Sequence, residues 1–190
     1  MERTALILVD MQNEYFAGGG IALEGMEKAA ENASRLLSFF REKEMALFHV
    51  QHISIRPDSK FFVPETHGAE INEKVFPLEG EDIIVKHFPN CFRDTNLNSQ
   101  LRNKHIDTLV ICGAMSHMCI DTTVRAAFDL GFSCIVAEDA CATRNLSFKD
   151  LDIPANLVQG TIMSSLGAAF AEILSTLEIL DRYEKKQDIH

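Results

Sequence analysis

Three residues with catalytic chemistry stand far apart in the sequence, and each lies at or shortly after the end of an apolar run. Asp10 follows the run TALILV, Lys86 follows DIIV, and Cys119 comes soon after DTLVIC. A carboxylate can take the proton of a thiol and return it to a leaving group, while an ammonium beside them keeps the carboxylate ionised. Together these groups make a sulfur nucleophile for a carbonyl carbon, provided that the three runs are strands of one sheet.

Each residue also has an ordinary structural explanation when it is taken alone. Asp10 can cap a turn, Lys86 can be a solvated strand end, and Cys119 can be a thiol in the apolar core. The combination favours chemistry, because parallel strands bring their carboxyl ends to one edge of a sheet and ligands bind in the crevice there.

The apolar runs alternate with amphipathic helical patterns along the chain. Short, nearly continuous apolar runs are typical of parallel strands that helices cover on both faces. We therefore predict an α/β fold for residues 1–190 as a single domain, a three-layer α/β/α sandwich around a doubly wound parallel sheet. Strands are expected at 4–9, 45–50, 82–85, 107–112 and 132–137, and residues 168–174 fit either a sixth strand or a helix.

Five helices are expected between and after these strands. Apolar side chains recur at helical spacing over residues 26–40. Further helices are predicted to begin near Thr95, near Ser116, at Pro154 with Gly167 just past its end, and from Ser175.

The stretch GAMSHMCID at 113–121 places Cys119 within the first turns of the helix that follows the fourth strand. Ser116 can cap the free N–H groups at this helix start. Such a start lowers the pKa of a thiol and offers N–H groups to an oxyanion, because it carries a positive partial charge. We therefore expect Cys119 to ionise readily.

The composition narrows the class of partner. The chain has 28 acidic and 18 basic residues, a formal charge of -10 and a pI near 5.1, which disfavours general binding to nucleic acid or to an anionic membrane surface. No apolar run has the length of a membrane span, and the first one is short for a signal peptide. We expect a cytoplasmic protein with a small-molecule partner and with its five cysteines reduced.

Polar and aromatic residues near the predicted strand ends are candidates for contact with the substrate. They are Gln12, Phe16, His52, Phe62 and Phe92. Each also has a simpler explanation: the amide can bond to backbone, the histidine can pack at the surface, and the phenylalanines can cover the core. The long loop at 53–80 is expected to be a lid or a subunit contact.

Three stretches of the sequence resemble, in the same order, the isochorismatase-like cysteine hydrolases, a superfamily that includes nicotinamidases and N-carbamoylsarcosine amidase. The stretches are LVDMQNEYF at 8–16, IIVKHFPNCFRDTNL at 83–97 and LVICGAMSHMCIDTTVRAAFDLGFSCIVAEDACAT at 109–143. The resemblance implies a six-stranded parallel sheet, a catalytic triad of Asp10, Lys86 and Cys119, and a homo-oligomer, either a dimer or a tetramer. It also implies a cis peptide bond between Ala114 and Met115, which turns the Met115 N–H, beside that of Cys119, towards the substrate oxyanion.

The resemblance also narrows the activity. Nicotinamidases of the superfamily hold a metal through an Asp-x-His pair after the second strand, whereas here Val50 stands where the Asp would be, so that neither a metal nor another cofactor is expected. Isochorismatases that cleave a vinyl ether commonly lack the nucleophilic cysteine, and its presence favours attack on a carbonyl carbon. The predicted activity is hydrolysis of a C–N bond in a small amide, carbamoyl or ureido compound. Two alternatives stay open: a vinyl ether hydrolase and a binding protein without catalysis.

Overall fold

Six parallel strands form the central sheet. The computed structural model describes residues 3–187, and its strands are β1 (Thr4–Val9), β2 (Ala46–His52), β3 (Asp82–Lys86), β4 (Thr108–Ala114), β5 (Ser133–Ala142), β6 (Leu146–Phe148), β7 (Leu151–Ile153) and β8 (Glu172–Leu174). The sheet has the order β3-β2-β1-β4-β5-β8, and every neighbouring pair is parallel. The order reverses between β1 and β4, which confirms the predicted doubly wound sheet.

Within residues 3–187, five α-helices cover the two faces of this sheet. They are α1 (Met26–Glu42), α2 (Leu97–Asn103), α3 (Asp121–Asp129), α4 (Ala155–Gly167) and α5 (Thr176–Gln187). Apolar side chains of α1 and α5 share one core cluster, and those of α2, α3 and α4 share another. The result is the predicted α/β/α sandwich.

The first strand shows why its sequence is apolar throughout. Leu6 and Leu8 belong to the core cluster beneath α1, whereas Ala5, Ile7 and Val9 belong to the cluster on the opposite face. Successive side chains of a strand point to opposite faces, so a central strand with helices on both sides buries every residue. All six residues of β1 are buried, and this fixes the position of its carboxyl end.

Several element boundaries differ from those expected. Residues 168–174 form a turn followed by the edge strand β8, which pairs with β5 from Ile135 to Ala137. Because this pairing partner is distant in the sequence, the local pattern alone could not distinguish a strand from a helix. The hairpin of β6 and β7 was not expected, because its strands have three residues each and lie largely exposed, without a clear polar and apolar alternation. Gly167 is the last residue of α4 rather than the residue after it.

The loop at 53–80 packs onto the segment that follows β1. It contains two short 3-10 turns, His67–Ala69 and Glu73–Val75, and Ile71 forms an isolated bridge with Gln12. Its apolar residues Phe62 and Val75 are buried. The loop therefore lies beside the carboxyl edge of the sheet. Within residues 3–187, no helix has the length and apolar character that crossing a membrane requires.

Candidate active site

The carboxyl edge of the sheet brings together the three residues that the sequence singles out. The Lys86 Nζ lies 2.7 Å from Asp10 Oδ2 and 3.3 Å from Cys119 Sγ. Asp10 and Lys86 are fully buried, and Cys119 is 6% exposed. An ammonium therefore stands between a carboxylate and a thiol, in a place that water barely reaches.

Local backbone geometry delivers Asp10 and Lys86 to this edge. Asp10 directly follows β1 and has a φ of 51°, a left-handed conformation that costs on the order of 1 kcal/mol for a residue other than glycine. Its N–H donates to the Val50 carbonyl at 2.9 Å, which holds the strand end against β2. Lys86 is the last residue of β3, paired with His52 in register, and the alternation of β3 directs it to the buried side.

The Lys86 ammonium remains charged despite its burial. It lies 3.1 Å from the Phe88 carbonyl oxygen and 3.3 Å from His52 Nδ1, in addition to Asp10 and Cys119. Burial alone lowers the pKa of Lys86, but the Asp10 carboxylate, joined by Cys119 once its thiol is ionised, outweighs that effect and raises the pKa above its ordinary value. Lys86 is therefore a fixed positive charge, unsuited to take or give protons near neutral pH.

The Cys119 thiol does not ionise as readily as the sequence led us to expect. Burial raises the pKa of Cys119, the Asp10 carboxylate raises it further, and the Lys86 ammonium only partly offsets both. The helix start also differs, since Ser116–Ile120 form a π-helical turn and α3 begins only at Asp121. In the absence of substrate the proton stays on sulfur, with Asp10 placed to receive it.

The turn between β4 and Cys119 depends on a glycine. Gly113 has a φ of 127°, and a Cβ at this position would lie 2.0 Å from the carbonyl oxygen of Val9. The close approach of β1 and β4 therefore excludes any side chain. The peptide bond between Ala114 and Met115 is cis, and the Met115 carbonyl accepts from the N–H groups of Met118 at 3.0 Å and Ile120 at 3.2 Å.

His52, a candidate for contact with the substrate, lies beside the Lys86 ammonium. It is partly buried, and its ring contacts that of Phe62 edge to face, with centroids 5.2 Å apart. Burial and the nearby Lys86 lower the pKa of His52 to about 4. The imidazole is therefore neutral at ordinary pH. Among residues 3–187, no three His, Cys, Asp or Glu side chains gather closely enough to hold a metal.

The Gln12 side chain binds backbone groups of the protein, whereas the sequence predicted contact with the substrate. It is fully buried, and its Nε2 donates to the carbonyl oxygens of His52 at 2.9 Å and Ala69 at 2.7 Å. Its Oε1 accepts from the His52 N–H at 2.8 Å. Because the whole amide is engaged with backbone, Gln12 positions His52 and the loop rather than a ligand.

The three candidate phenylalanines are placed differently. Phe62 contacts the ring of His52 and so belongs to the wall around the site, whereas Phe16 is buried in the same core cluster as Phe62 and Met115. Phe92 instead stacks on Phe132 at 6.1 Å between centroids and packs in the opposite core cluster. Phe132 directly precedes β5, at the other end of that strand, so the prediction that Phe92 contacts substrate is not supported by its packing.

Two residues of the site were missed in the sequence. Tyr15 follows Asp10 in the same motif; it is 3% exposed, and its ring contacts Phe62 edge to face at 5.1 Å. Glu14 accepts hydrogen bonds from the N–H groups of Gly20 at 2.6 Å and Phe62 at 3.2 Å. Their position within DMQNEYF, directly after the strand that ends at Val9, was the available signal.

Comparisons with known proteins agree with this architecture. The family model of the isochorismatase domain matches residues 4–165. The isochorismatase family protein YddQ of Bacillus subtilis is 49% identical over 173 residues, which cover 91% of this chain and 96% of that protein. The crystal structure of an isochorismatase from Pseudomonas putida has a TM-score of 0.87 at 37% identity, with 93% of this chain and 89% of that chain covered. A crystal structure from Oleispira antarctica has a TM-score of 0.91 at 44% identity, with 95% and 97% covered.

More distant similarity extends to proteins that are named as amidases. Ureidoacrylate amidohydrolase RutB of Cronobacter sakazakii is 28% identical over 172 residues, which cover 73% of this chain and 74% of that protein. N-carbamoylsarcosine amidase of Arthrobacter sp. is 26% identical over 159 residues, which cover 75% of this chain and 60% of that protein.

Proposed function

The chain belongs to the isochorismatase family, whose members are hydrolases, and from this premise we propose that it cleaves the C–N bond of a small amide, carbamoyl or ureido compound through a thioester on Cys119. The observation that carries the proposal is the Cys119 Sγ at 3.3 Å from the Lys86 ammonium, which itself contacts Asp10. Cleavage of a vinyl ether needs an acid but no sulfur nucleophile. The two relatives that are named as an amidase and an amidohydrolase support cleavage of the same type of bond.

The first half of the reaction forms the thioester. Asp10 takes the thiol proton as the sulfur of Cys119 attacks the carbonyl carbon, so that a free thiolate need not accumulate beforehand. The N–H groups of Met115 and Cys119 hold the resulting oxyanion. Asp10 then gives its proton to the substrate nitrogen, the C–N bond breaks, and the amine or ammonia leaves.

The second half restores the enzyme. Asp10, again a carboxylate, takes a proton from water as the water oxygen attacks the thioester carbon. The C–S bond then breaks, and the proton returns to sulfur as the acid product departs. Lys86 keeps its proton throughout, because burial, which lowers its pKa, is outweighed by the neighbouring Asp10 carboxylate, which raises it.

A substrate panel tests this proposal. Purified protein is incubated with small primary amides, carbamoyl amines and ureido acids, ammonia release is measured, and the acyl-enzyme is sought by mass spectrometry on Cys119. We expect release that Cys119→Ala and Asp10→Asn each abolish, and that Cys134→Ala preserves, because Cys134 is a core thiol near Val124 and Phe132.

The outcomes separate the alternatives. Turnover that survives Cys119→Ala contradicts the thioester mechanism. Vinyl ether cleavage that Asp10→Asn abolishes and Cys119→Ala preserves would establish the alternative chemistry, and tight binding without turnover of any class would establish a binding protein.

A further inference from the structure

The two edges of the central sheet differ in how they are protected from other strands. The edge strand β8 has three residues and carries Glu172 in an ion pair with Arg182, and short length and charge are common protections of a sheet edge. The edge strand β3 has five residues, and on one of its faces Ile83 and Val85 are 49% and 45% exposed. An edge strand with exposed apolar side chains is a template for pairing with another strand.

The backbone of β3 also presents hydrogen-bonding groups to the outside. The Ile53 N–H donates to the Lys86 carbonyl oxygen at 2.9 Å, which places the backbone groups of Lys86 on the β2 side. Because these groups alternate along a strand, those of Ile84 also face β2, whereas those of Ile83 and Val85 face outward. Within residues 3–187, β3 pairs with β2 alone, and no backbone hydrogen bond from another segment reaches the outward groups. A protein partner that satisfies all of them must be an extended strand.

A further apolar side chain lies beside this edge. Leu78 is more than half exposed, and its N–H and His49 Nε2 both lie 2.9 Å from the Glu81 carboxylate. His49 is the register partner of Ile83 on β2, so Leu78 is held close to the outward face of β3. The Glu81 carboxylate is also bound by Arg41, and its charge is therefore already compensated where the apolar surface begins.

The sequence of β3 is complementary to itself when two copies run antiparallel. With Ile84 of both copies on a two-fold axis, Ile83 lies opposite Val85 of the second copy and exchanges both backbone hydrogen bonds with it. Every outward N–H and C=O of the two residues thereby finds a partner. The exposed β-branched side chains then meet as cross-strand pairs, which stabilise antiparallel sheets.

The charges along the strand favour the same arrangement. In the antiparallel pair, Asp82 lies opposite Lys86 of the second copy, and Glu81 lies opposite His87. The acidic start of each strand therefore meets the basic end of the other. A parallel copy in register would instead place Asp82 opposite Asp82, and like charges directly opposite each other are destabilising.

We propose that the protein forms a two-fold dimer in which the β3 strands of two copies pair antiparallel through Ile83 and Val85 and join the two sheets into one. The strand that pairs is also the one that ends at Lys86, so the second copy supports the element that positions the catalytic ammonium. The inference is independent of the proposed hydrolysis, because it depends only on the outer edge of the sheet.

Sedimentation velocity of the full-length protein over a range of concentrations tests the proposal. We expect a mass of two 21.3-kDa chains. Ile83→Lys should raise the dissociation constant at least about a hundredfold, because pairing would bury the new ammonium against apolar side chains. The matched controls Leu177→Lys in α5 and Phe148→Lys in β6 replace side chains that are more than half exposed elsewhere, and both should leave the dimer intact.

A pair of opposite charges tests the register. Val85→Glu alone should also give a monomer. The double variant that combines Ile83→Lys with Val85→Glu should form the dimer again, since each new lysine then lies opposite a new glutamate of the second copy. Recovery of the dimer would also show that both substitutions are compatible with the fold.

The outcomes either support the pairing or overturn it. A native protein that is monomeric at every concentration overturns the proposal, and so does a dimer that persists in Ile83→Lys or that either control dissociates. Loss of the dimer in both single variants without recovery in the double variant overturns the antiparallel register. A mass of four chains that Ile83→Lys reduces to two supports the pairing. Because each readout is a mass, the result does not depend on whether the protein hydrolyses an amide.

Discussion

His52 Nδ1 lies 3.3 Å from the Lys86 Nζ, so that the histidine accepts a hydrogen bond from the ammonium only while its ring is neutral. The pKa of His52 is lowered to about 4 by burial and by Lys86. This relationship ties the protonation of His52 to the position of the Lys86 ammonium.

The first prediction concerns stability below neutral pH. The fold lowers the pKa of His52 from 6.5 to about 4, so between these values the unfolded chain binds the proton and the folded chain does not. The stability that the folded protein gains from keeping His52 neutral is complete above about pH 6.5, and it is lost as the pH falls towards 4. We expect His52→Asn to show a smaller loss of unfolding free energy than the unsubstituted protein when urea denaturation at pH 7 and pH 5 is compared. Equal losses would contradict this account.

The second prediction concerns the ionisation of Cys119. The Asp10 carboxylate raises the pKa of this thiol, and the Lys86 ammonium lowers it. Asp10→Asn removes the negative charge, so the midpoint of Cys119 alkylation by neutral iodoacetamide should move to lower pH even though turnover is lost. Lys86→Met should move it to higher pH. A midpoint that shifts upward in Asp10→Asn would mean that Asp10 assists ionisation before substrate binds.

The third prediction concerns the ion pair network that anchors β2 to α1. The Glu81 carboxylate accepts from Arg41 Nε at 2.7 Å and Nη2 at 2.8 Å, from the Leu78 N–H at 2.9 Å and lies 2.9 Å from His49 Nε2. His49 is 1% exposed. Glu81→Gln should therefore lower the unfolding free energy by about 2 kcal/mol, because it removes the charged acceptor of the partly buried Arg41 guanidinium.

The control for this network is an exposed pair within α5. Lys185 and Asp181 form an ion pair with both side chains more than half exposed, and Asp181→Asn should change the unfolding free energy by no more than about 0.5 kcal/mol. Urea denaturation measures both variants. Equal effects of the two substitutions would show that burial does not strengthen the network.

The fourth prediction compares two glycines. A Cβ at Gly113 would meet the Val9 carbonyl oxygen at 2.0 Å, whereas a Cβ at Gly160 would meet nothing within 4 Å. Gly113→Ala should prevent the approach of β1 and β4 and cause misfolding or loss of activity. Gly160→Ala lies within α4 and should raise the melting temperature, corresponding to about 0.5–1 kcal/mol. A stable, active Gly113→Ala protein would contradict the argument from close packing.

The sequence allowed the prediction of features that depend on local pattern. The burial of both faces of β1 makes its sequence uniformly apolar, and α1 repeats its apolar residues at helical spacing. Asp10, Lys86 and Cys119 were identifiable because chain direction alone places strand ends at one edge.

Other features depend on contacts between distant segments and could not be predicted. The protonation of Cys119 follows from burial and from Asp10, 109 positions away in the chain, which outweigh the local effect of a helix start. Gln12 binds backbone of β2 and of the 53–80 loop, and Phe92 stacks on Phe132, 40 positions away in the chain. Residue type and spacing in the sequence do not indicate such contacts between distant residues.

Glu14 joins loops that are separate in the sequence, because its one carboxylate holds the N–H groups of Gly20 and Phe62 while Gly68 packs so closely that a Cβ there would lie 2.6 Å from Oε1. Neither loop can move away from the site without leaving a charged oxygen unpaired. The two amides should therefore exchange their hydrogens for deuterium through one shared opening event, with equal free energies, so that the two loops behave as a single cooperative unit.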